Sequence, residues 1–425
     1  VRGPGETRSD ERAVAMAGIA DGVEAKVVWS PSLLEYRHSA DHPMSPRRLD
    51  LTMSLATELG VLQGVELLDP GTAGDDELLR VHTSRYIDAV KAAGDLSPGE
   101  HVGMSHGLGT ADNPTFPAMH EASAAVAGGT LTAARAVASG AATRAVSVAG
   151  GMHHAMPAAA AGFCVYNDAA VAISWLLDNG FDRIAYVDID VHHGDGVQTA
   201  FYEDPRVLTV SLHQHPATLW PSTGWASEAG VGRAEGTAVN LAFLPAVTDD
   251  LWLRGFHAVV PGVLRAFEPQ IIVLQAGCDS HREDPLADLS LTVDGHRRSY
   301  LDVIALADEL CEGRLIAVGG GGYELVRVVP RSWTHLIAAV LGAPVDPGTA
   351  IPEGWRSAAG RLTVPDRVPK VMGDGEMPTF APWEPAGADR GVEMDRSLAR
   401  LDQSILDTRR TVYPLLGLDP DDPRD

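Results

Sequence analysis

Cysteine is scarce in this chain: three in 425 residues, Cys164, Cys278 and Cys311, with no spaced pair among them. That excludes a zinc ribbon and a secreted disulfide framework, and points to a reducing compartment. Basic charge is also short, 33 Lys and Arg against 57 Asp and Glu for a formal net charge of -24. A general nucleic-acid binder needs clustered cations against the phosphates, so no nucleic-acid partner is expected and a basic or lysine-bearing substrate fits better. No uninterrupted apolar run reaches the roughly 18 residues of a membrane span, and the polar opening VRGPGETRSDERAVAMAGIADG holds only a brief apolar stretch. The expectation is a cytoplasmic protein without a membrane partner. Internal repeats are absent from the sequence.

What is present is enough apolar residue, 45%, for a sizeable core, and a length that one large α/β domain with long loops can use. Short β-branched runs recur at KVVW (26), RAVSVAG (144), RIAYVDID (183), RVLTVSLH (206), QIIVLQAG (270) and RLIAVGGGG (314). Helix-period segments lie between them at 120–139, 167–179, 250–267 and 293–311. The alternation predicts a parallel sheet with helices on both faces. Ligands bind such sheets beyond the carboxyl ends of the strands. There the unusual residues gather, in AGGMHHA, DIDVHHGDG, SLHQH, AGCDSHRED and GGGGYE.

From about residue 343 the composition shifts to Pro, Gly and acid, followed by one amphipathic helix expected at 394–412. The expected organisation is a flexible segment over 1–24, a catalytic domain over 25–342 and a wrapping tail over 343–425.

In YVDIDVHHGDGV, extended backbone would turn Asp188, Asp190 and His192 to one face within roughly 7 Å. Carboxylate and imidazole suit a borderline or hard divalent metal with three protein ligands and an open position. Asp279, at another strand end, is the candidate third ligand. The plainer alternative, an acidic strand end that only caps the next helix, leaves several carboxylates packed without a cation. His153 and His154 follow a neighbouring strand, with Asp188 and Asp195 as candidate partners to fix tautomer and basicity. The four glycines before Tyr323 lack the Lys-Ser/Thr of a phosphate loop. They read instead as close backbone approach, letting the Tyr323 hydroxyl reach a substrate oxyanion.

Together HPMSPRRL, GGMHHAMPAAAAGFCVYND, YVDIDVHHGDGV, VSLHQ, AGCDSHREDPL and GGGGY, over residues 27 to 340, resemble the zinc-dependent histone deacetylase superfamily and its bacterial acetoin-utilisation branch. The resemblance implies an arginase-like three-layer α/β fold with a central parallel sheet of about eight strands. It implies Zn²⁺, with Fe²⁺ as the alternative metal, held by Asp190, His192 and Asp279. His154 paired with Asp195 would be general base and acid, His153 paired with Asp188 would act electrostatically, and Tyr323 would polarise the acetamide carbonyl. Gly162, Phe163, Trp220 and Leu286 would line a tunnel for the lysine stem, Asp112 would grip substrate backbone, and Arg48 would border the acetate exit. A structural K⁺ would sit at Asp188, Ser211, Leu212 and the carbonyls of Asp190 and His192. The implied partner is an acetylated-lysine protein or, alternatively, an acetylated polyamine. The sequence departs from the family pattern at Trp220, where Phe or Tyr is usual, at Met152, where eukaryotic members often have an aromatic, and in the uncharged MPAAAA. A dinuclear manganese ureohydrolase would need further bridging ligands in place of the tyrosine and glycine run. An inactive acetyl-lysine binding module would lack a ligand or Tyr323.

Overall fold

The computed structural model describes residues 24–96, 104–385 and 396–425. The expected flexible segment 1–24 therefore lies outside the described residues except for Glu24. The chain runs β1 (Ala25–Val28), α1 (Arg47–Glu58), β2 (Leu67–Leu68), α2 (Asp75–Leu78), α3 (Ser84–Gly94), α4 (Met119–Ala138), β3 (Arg144–Ser147), α5 (Asp168–Asp178) and β4 (Ile184–Asp188). It continues through α6 (Asp195–Phe201), β5 (Val207–Gln214), β6 (Ala238–Phe243), α7 (Asp249–Phe267), β7 (Ile271–Gln275), α8 (Val293–Leu310), β8 (Leu315–Val318), α9 (Val329–Val340), α10 (Glu353–Ala359) and α11 (Arg396–Val412).

The eight strands among the described residues are all parallel, in the order β2-β1-β3-β8-β7-β4-β5-β6. Strands β4, β7 and β8 are buried along their whole length, so they read as continuous apolar runs instead of alternating ones. The five strands whose ends carry the unusual residues, β3, β8, β7, β4 and β5, are contiguous in the sheet. Their loops consequently meet at one rim.

Two strands and several helices are not apparent in the sequence. β2 is two residues long, and β6 carries Asn240 in its middle. The NH2 of that buried amide is satisfied, donating to Gln198 Oε1 at 2.8 Å and to the Glu228 carbonyl at 3.0 Å. Every residue of α9 is buried, including the polar Arg331, Ser332, Thr334 and His335.

The C-terminal segment carries a second helix besides α11. The seven-residue α10 is too short to show periodicity, and it starts directly after Pro352. Its Trp355 is fully buried against Leu51 and Leu55 of α1 and Met372, and its indole N–H donates to the Leu51 carbonyl at 2.9 Å. Trp355→Ala is expected to cost about 3–5 kcal/mol of stability, read as a lower urea midpoint. Helix α11 buries Leu401, Ile405, Thr408, Arg409 and Val412, one stripe at helical spacing. It covers the edge strand β6, where Thr408 Oγ1 donates to the Asn240 carbonyl at 2.7 Å. The buried Arg409 donates to carbonyls of Ala258, Pro420 and Asp422 and stacks on Trp383 and Tyr413. No helix among the described residues is long and apolar enough to cross a membrane.

Candidate active site

Strand β4 ends at Asp188, so extended alternation does not carry Asp190 and His192. Side chains take over from the ladder: Asp188 Oδ1 accepts the Asp190 N–H at 3.2 Å, and Asp190 Oδ1 accepts the His192 N–H at 2.9 Å. Such local bonds compete with sheet pairing and turn the chain. Asp188 then serves His153, while Asp190 and His192 meet Asp279 from the loop after β7.

One ligand atom from each of Asp190, His192 and Asp279 lies within 4.8 Å of the other two, and all three residues are buried. His192 Nδ1 is 3.2 Å from Asp190 Oδ1 and 3.1 Å from Asp279 Oδ2. Burial and the nearby Asp190 charge push the Asp279 carboxyl up to about 6. Two carboxylates and an imidazole converging in a dry site fit a divalent cation, which removes the repulsion that otherwise costs the fold. Asp190 is fixed further by Gln275 Nε2 at 2.8 Å and the Gly321 N–H at 2.7 Å, both donating to Oδ2.

The histidine pair sits beside this triad. His153 Nδ1 donates to Asp188 Oδ2 at 2.8 Å, and His154 Nδ1 donates to Asp195 Oδ1 at 2.7 Å. Burial opposes charge on His153, but Asp188 and Asp190 outweigh it and raise the ring to about 9. Burial, with His153 alongside, lowers His154 to about 4. The turn bearing the pair is held by Asp168 at the start of α5, which accepts N–H groups of Gly151 at 3.0 Å and Met152 at 2.7 Å.

Tyr323 follows the glycine run at the end of β8. A Cβ on Gly321 would collide with Asp279, and Gly322 has φ 141°, which side chains rarely adopt. The Tyr323 N–H donates to Asp284 Oδ2 at 2.8 Å, and its ring meets Phe163 edge-on at 5.7 Å. Burial raises its hydroxyl well above the ordinary range, so it keeps its proton. Arg48 lies behind the run, donating to the Gly320 carbonyl at 2.6 Å and stacking on Trp333.

Asp112, His154, Gly162, Phe163, His192, Leu219, Trp220, Leu286 and Tyr323 line one cavity of about 340 Å³. Every tunnel and rim residue named from the sequence is thus in one place, with Leu219 added. The Trp220 ring packs edge-on to His154 at 4.6 Å and is 45% exposed, so it forms both wall and lip. Ser211 is paired in register with Asp188, with Leu212 next along β5, and its hydroxyl contacts His213 Nδ1 at 2.9 Å. A larger open hollow of about 860 Å³ between Gln198 and Arg233 lacks such a constellation.

Three further residues support the site without standing out in the sequence: Asp168, Gln275 and Asp284. Asp168 and Asp284 belong to the GGMHHAMPAAAAGFCVYND and AGCDSHREDPL motifs, where an acid near the histidine turn and the candidate metal-ligand turn is the only signal. Gln275 ends β7 as an ordinary polar residue and offers none.

The histone deacetylase domain pattern matches residues 42–340. The acetoin utilization protein AcuC of Bacillus subtilis (strain 168) is 41% identical over 328 residues, covering 77% of this chain and 84% of that protein. The protein of that name from Staphylococcus xylosus is 38% identical over 328 residues, 77% of this chain and 85% of its own. The crystal structure of an HDAC homolog from Aquifex aeolicus aligns with TM-score 0.75 at 27% identity, covering 91% of this chain and 100% of that one. An HDAC homolog complexed with SAHA aligns with TM-score 0.76 at 27% identity and the same coverage.

Proposed function

The chain belongs to the histone deacetylase family, and from that premise we propose that it hydrolyses the acetyl amide on lysine side chains of proteins, releasing acetate. The observation that carries the reading is the convergence of the Asp190, His192 and Asp279 ligand atoms beside two carboxylate-paired histidines and Tyr323, at one narrow cavity. Zn²⁺, or Fe²⁺ in its place, would be held by Asp190, His192 and Asp279 and would supply Lewis-acid polarisation of the carbonyl and of an attacking water.

The chain's own groups have distinct tasks. Because His154 Nδ1–H is committed to Asp195, its Nε2 lone pair is free to take the proton of the attacking water and return it to the departing amine. His153, held by Asp188, contributes charge beside it. The Tyr323 hydroxyl donates to the carbonyl oxygen as negative charge develops there. Gly162, Phe163, Trp220 and Leu286 form an apolar sleeve for a four-carbon stem, and Asp112 at the rim accepts backbone N–H groups of a peptide. Arg48 borders the route for acetate. A K⁺ at Asp188, Ser211, Leu212 and the carbonyls of Asp190 and His192 would stiffen the sheet edge behind the triad; the register of β4 against β5 supports it. The setting proposed is cytoplasmic, within the acetoin-utilization branch.

The test compares an acetyl-lysine peptide with an acetylated polyamine as substrates for the zinc-loaded protein, with and without chelator. Chelator-sensitive preference for the peptide supports the proposal; preference for the polyamine overturns the protein-lysine assignment. Trp220→Ala removes an apolar wall that grips ground and transition state alike. It should raise KM for the peptide about 10-fold with kcat little changed; an unaltered KM would take Trp220 out of the sleeve.

A further inference from the structure

We propose that Asp374, far from the site in sequence, is a positioning residue that locks the loop bearing Asp279 and anchors Tyr323, and that the C-terminal segment thereby completes the active centre. The inference rests on the metal reading above. The loop from β7 to α8 carries Asp279, His281, Glu283 and Asp284. His281 Nδ1 accepts the Glu283 N–H at 3.0 Å, so its Nε2 carries the hydrogen and donates to Asp374 Oδ2 at 2.9 Å. His281 is fully buried and the Asp374 side chain is 7% exposed.

Asp374 is itself held on several sides. Arg331 of α9 donates to its Oδ1 at 2.8 Å and to the Gly373 carbonyl at 2.8 Å. The Val293 N–H at the start of α8 donates to Oδ2 at 3.0 Å, and the Asp374 N–H donates to Asp294 Oδ2 at 2.9 Å. A buried charge so saturated cannot shift without taking the carboxylate partner from both Arg331 and His281. The loop is gripped a second time: Arg327 of the β8–α9 loop donates to both oxygens of Glu283, at 2.6 and 2.7 Å, and to the Arg367 carbonyl at 2.8 Å.

From His281 the constraint runs two ways. Two residues back stands Asp279, whose oxygens meet the Val191 N–H and His192. Forward, the Asp284 N–H donates to the His281 carbonyl at 2.9 Å, and Asp284 accepts the Tyr323 N–H at 2.8 Å. One carboxylate from the C-terminal segment therefore sets the placement of a metal-ligand candidate and of the oxyanion donor. Groups that orient ligands from outside tune metal affinity without touching the ion.

The experiment measures zinc affinity of the full chain by chelator competition for wild type, Asp374→Asn and Asp374→Ala, with thermal melts to establish folding. Arg409→Met, which loosens α11 instead, is the control. The expected result is affinity weakened about 10-fold or more for Asp374→Asn, more for Asp374→Ala, with a lower kcat and little change in KM at saturating zinc. Asp374→Asn keeps the shape and carries the test if Asp374→Ala does not fold. The Arg409 control should lower the melting temperature and leave zinc affinity unchanged. Wild-type affinity in folded Asp374 variants, or equal loss in the control, overturns the inference. If the wild type binds no stoichiometric zinc, or Asp279→Asn keeps full affinity, the metal reading itself fails and this inference falls with it.

Discussion

Tyr323→Phe is expected to lower turnover of an acetyl-lysine peptide by about 10²- to 10³-fold, the loss typical of one oxyanion donor, while zinc content and KM stay near wild type. The substitution removes one oxygen and leaves the ring that packs on Phe163 and the backbone N–H that Asp284 accepts. The hydroxyl keeps its proton because burial, with Asp279 and Asp190 nearby, holds it well above the ordinary range. It therefore has a hydrogen to donate as the carbonyl oxygen becomes an anion, and it contributes little before that point. Steady-state kinetics beside metal analysis checks this. Unaltered turnover would remove the tyrosine from the chemistry.

Asp279→Asn should weaken zinc binding by more than about 100-fold, beyond the range for losing an outer partner. The same substitution should leave the metal-free protein at least as stable as wild type. In the absence of a cation, Asp279 is a buried carboxylate pushed up to about 6 by burial and Asp190, and a neutral isostere removes that repulsion. Zinc should thus raise the melting temperature of wild type and not of the variant. A variant with stoichiometric zinc and wild-type affinity would strike Asp279 from the ligand set.

Much of this site is legible in the sequence because parallel sheets concentrate chemistry at strand carboxyl ends. The runs ending in AGGMHHA, DIDVHHGDG, SLHQH, AGCDSHRED and GGGGYE belong to five contiguous strands. Each is marked by an apolar approach and a polar termination. The local geometry is less legible. Side chains of Asp188 and Asp190 end the strand early, so a turn instead of a pleat delivers His192. Asp374 is invisible in sequence for a different reason. Its partners, His281, Arg331 and the Val293 N–H, come from elements distant along the chain, and nothing local distinguishes it from the other acids of an acidic segment. Strand β6 is hidden because Asn240 interrupts its apolar run.

Metal-dependent deacetylation is measured most directly as acetate release from an acetyl-lysine peptide by protein stripped with chelator and then titrated with zinc. No turnover is expected from the stripped protein and full recovery at one equivalent of zinc, with no recovery at that level for Asp190→Asn. Undiminished turnover by protein proven free of metal would contradict the assignment of Asp190, His192 and Asp279 to a catalytic metal.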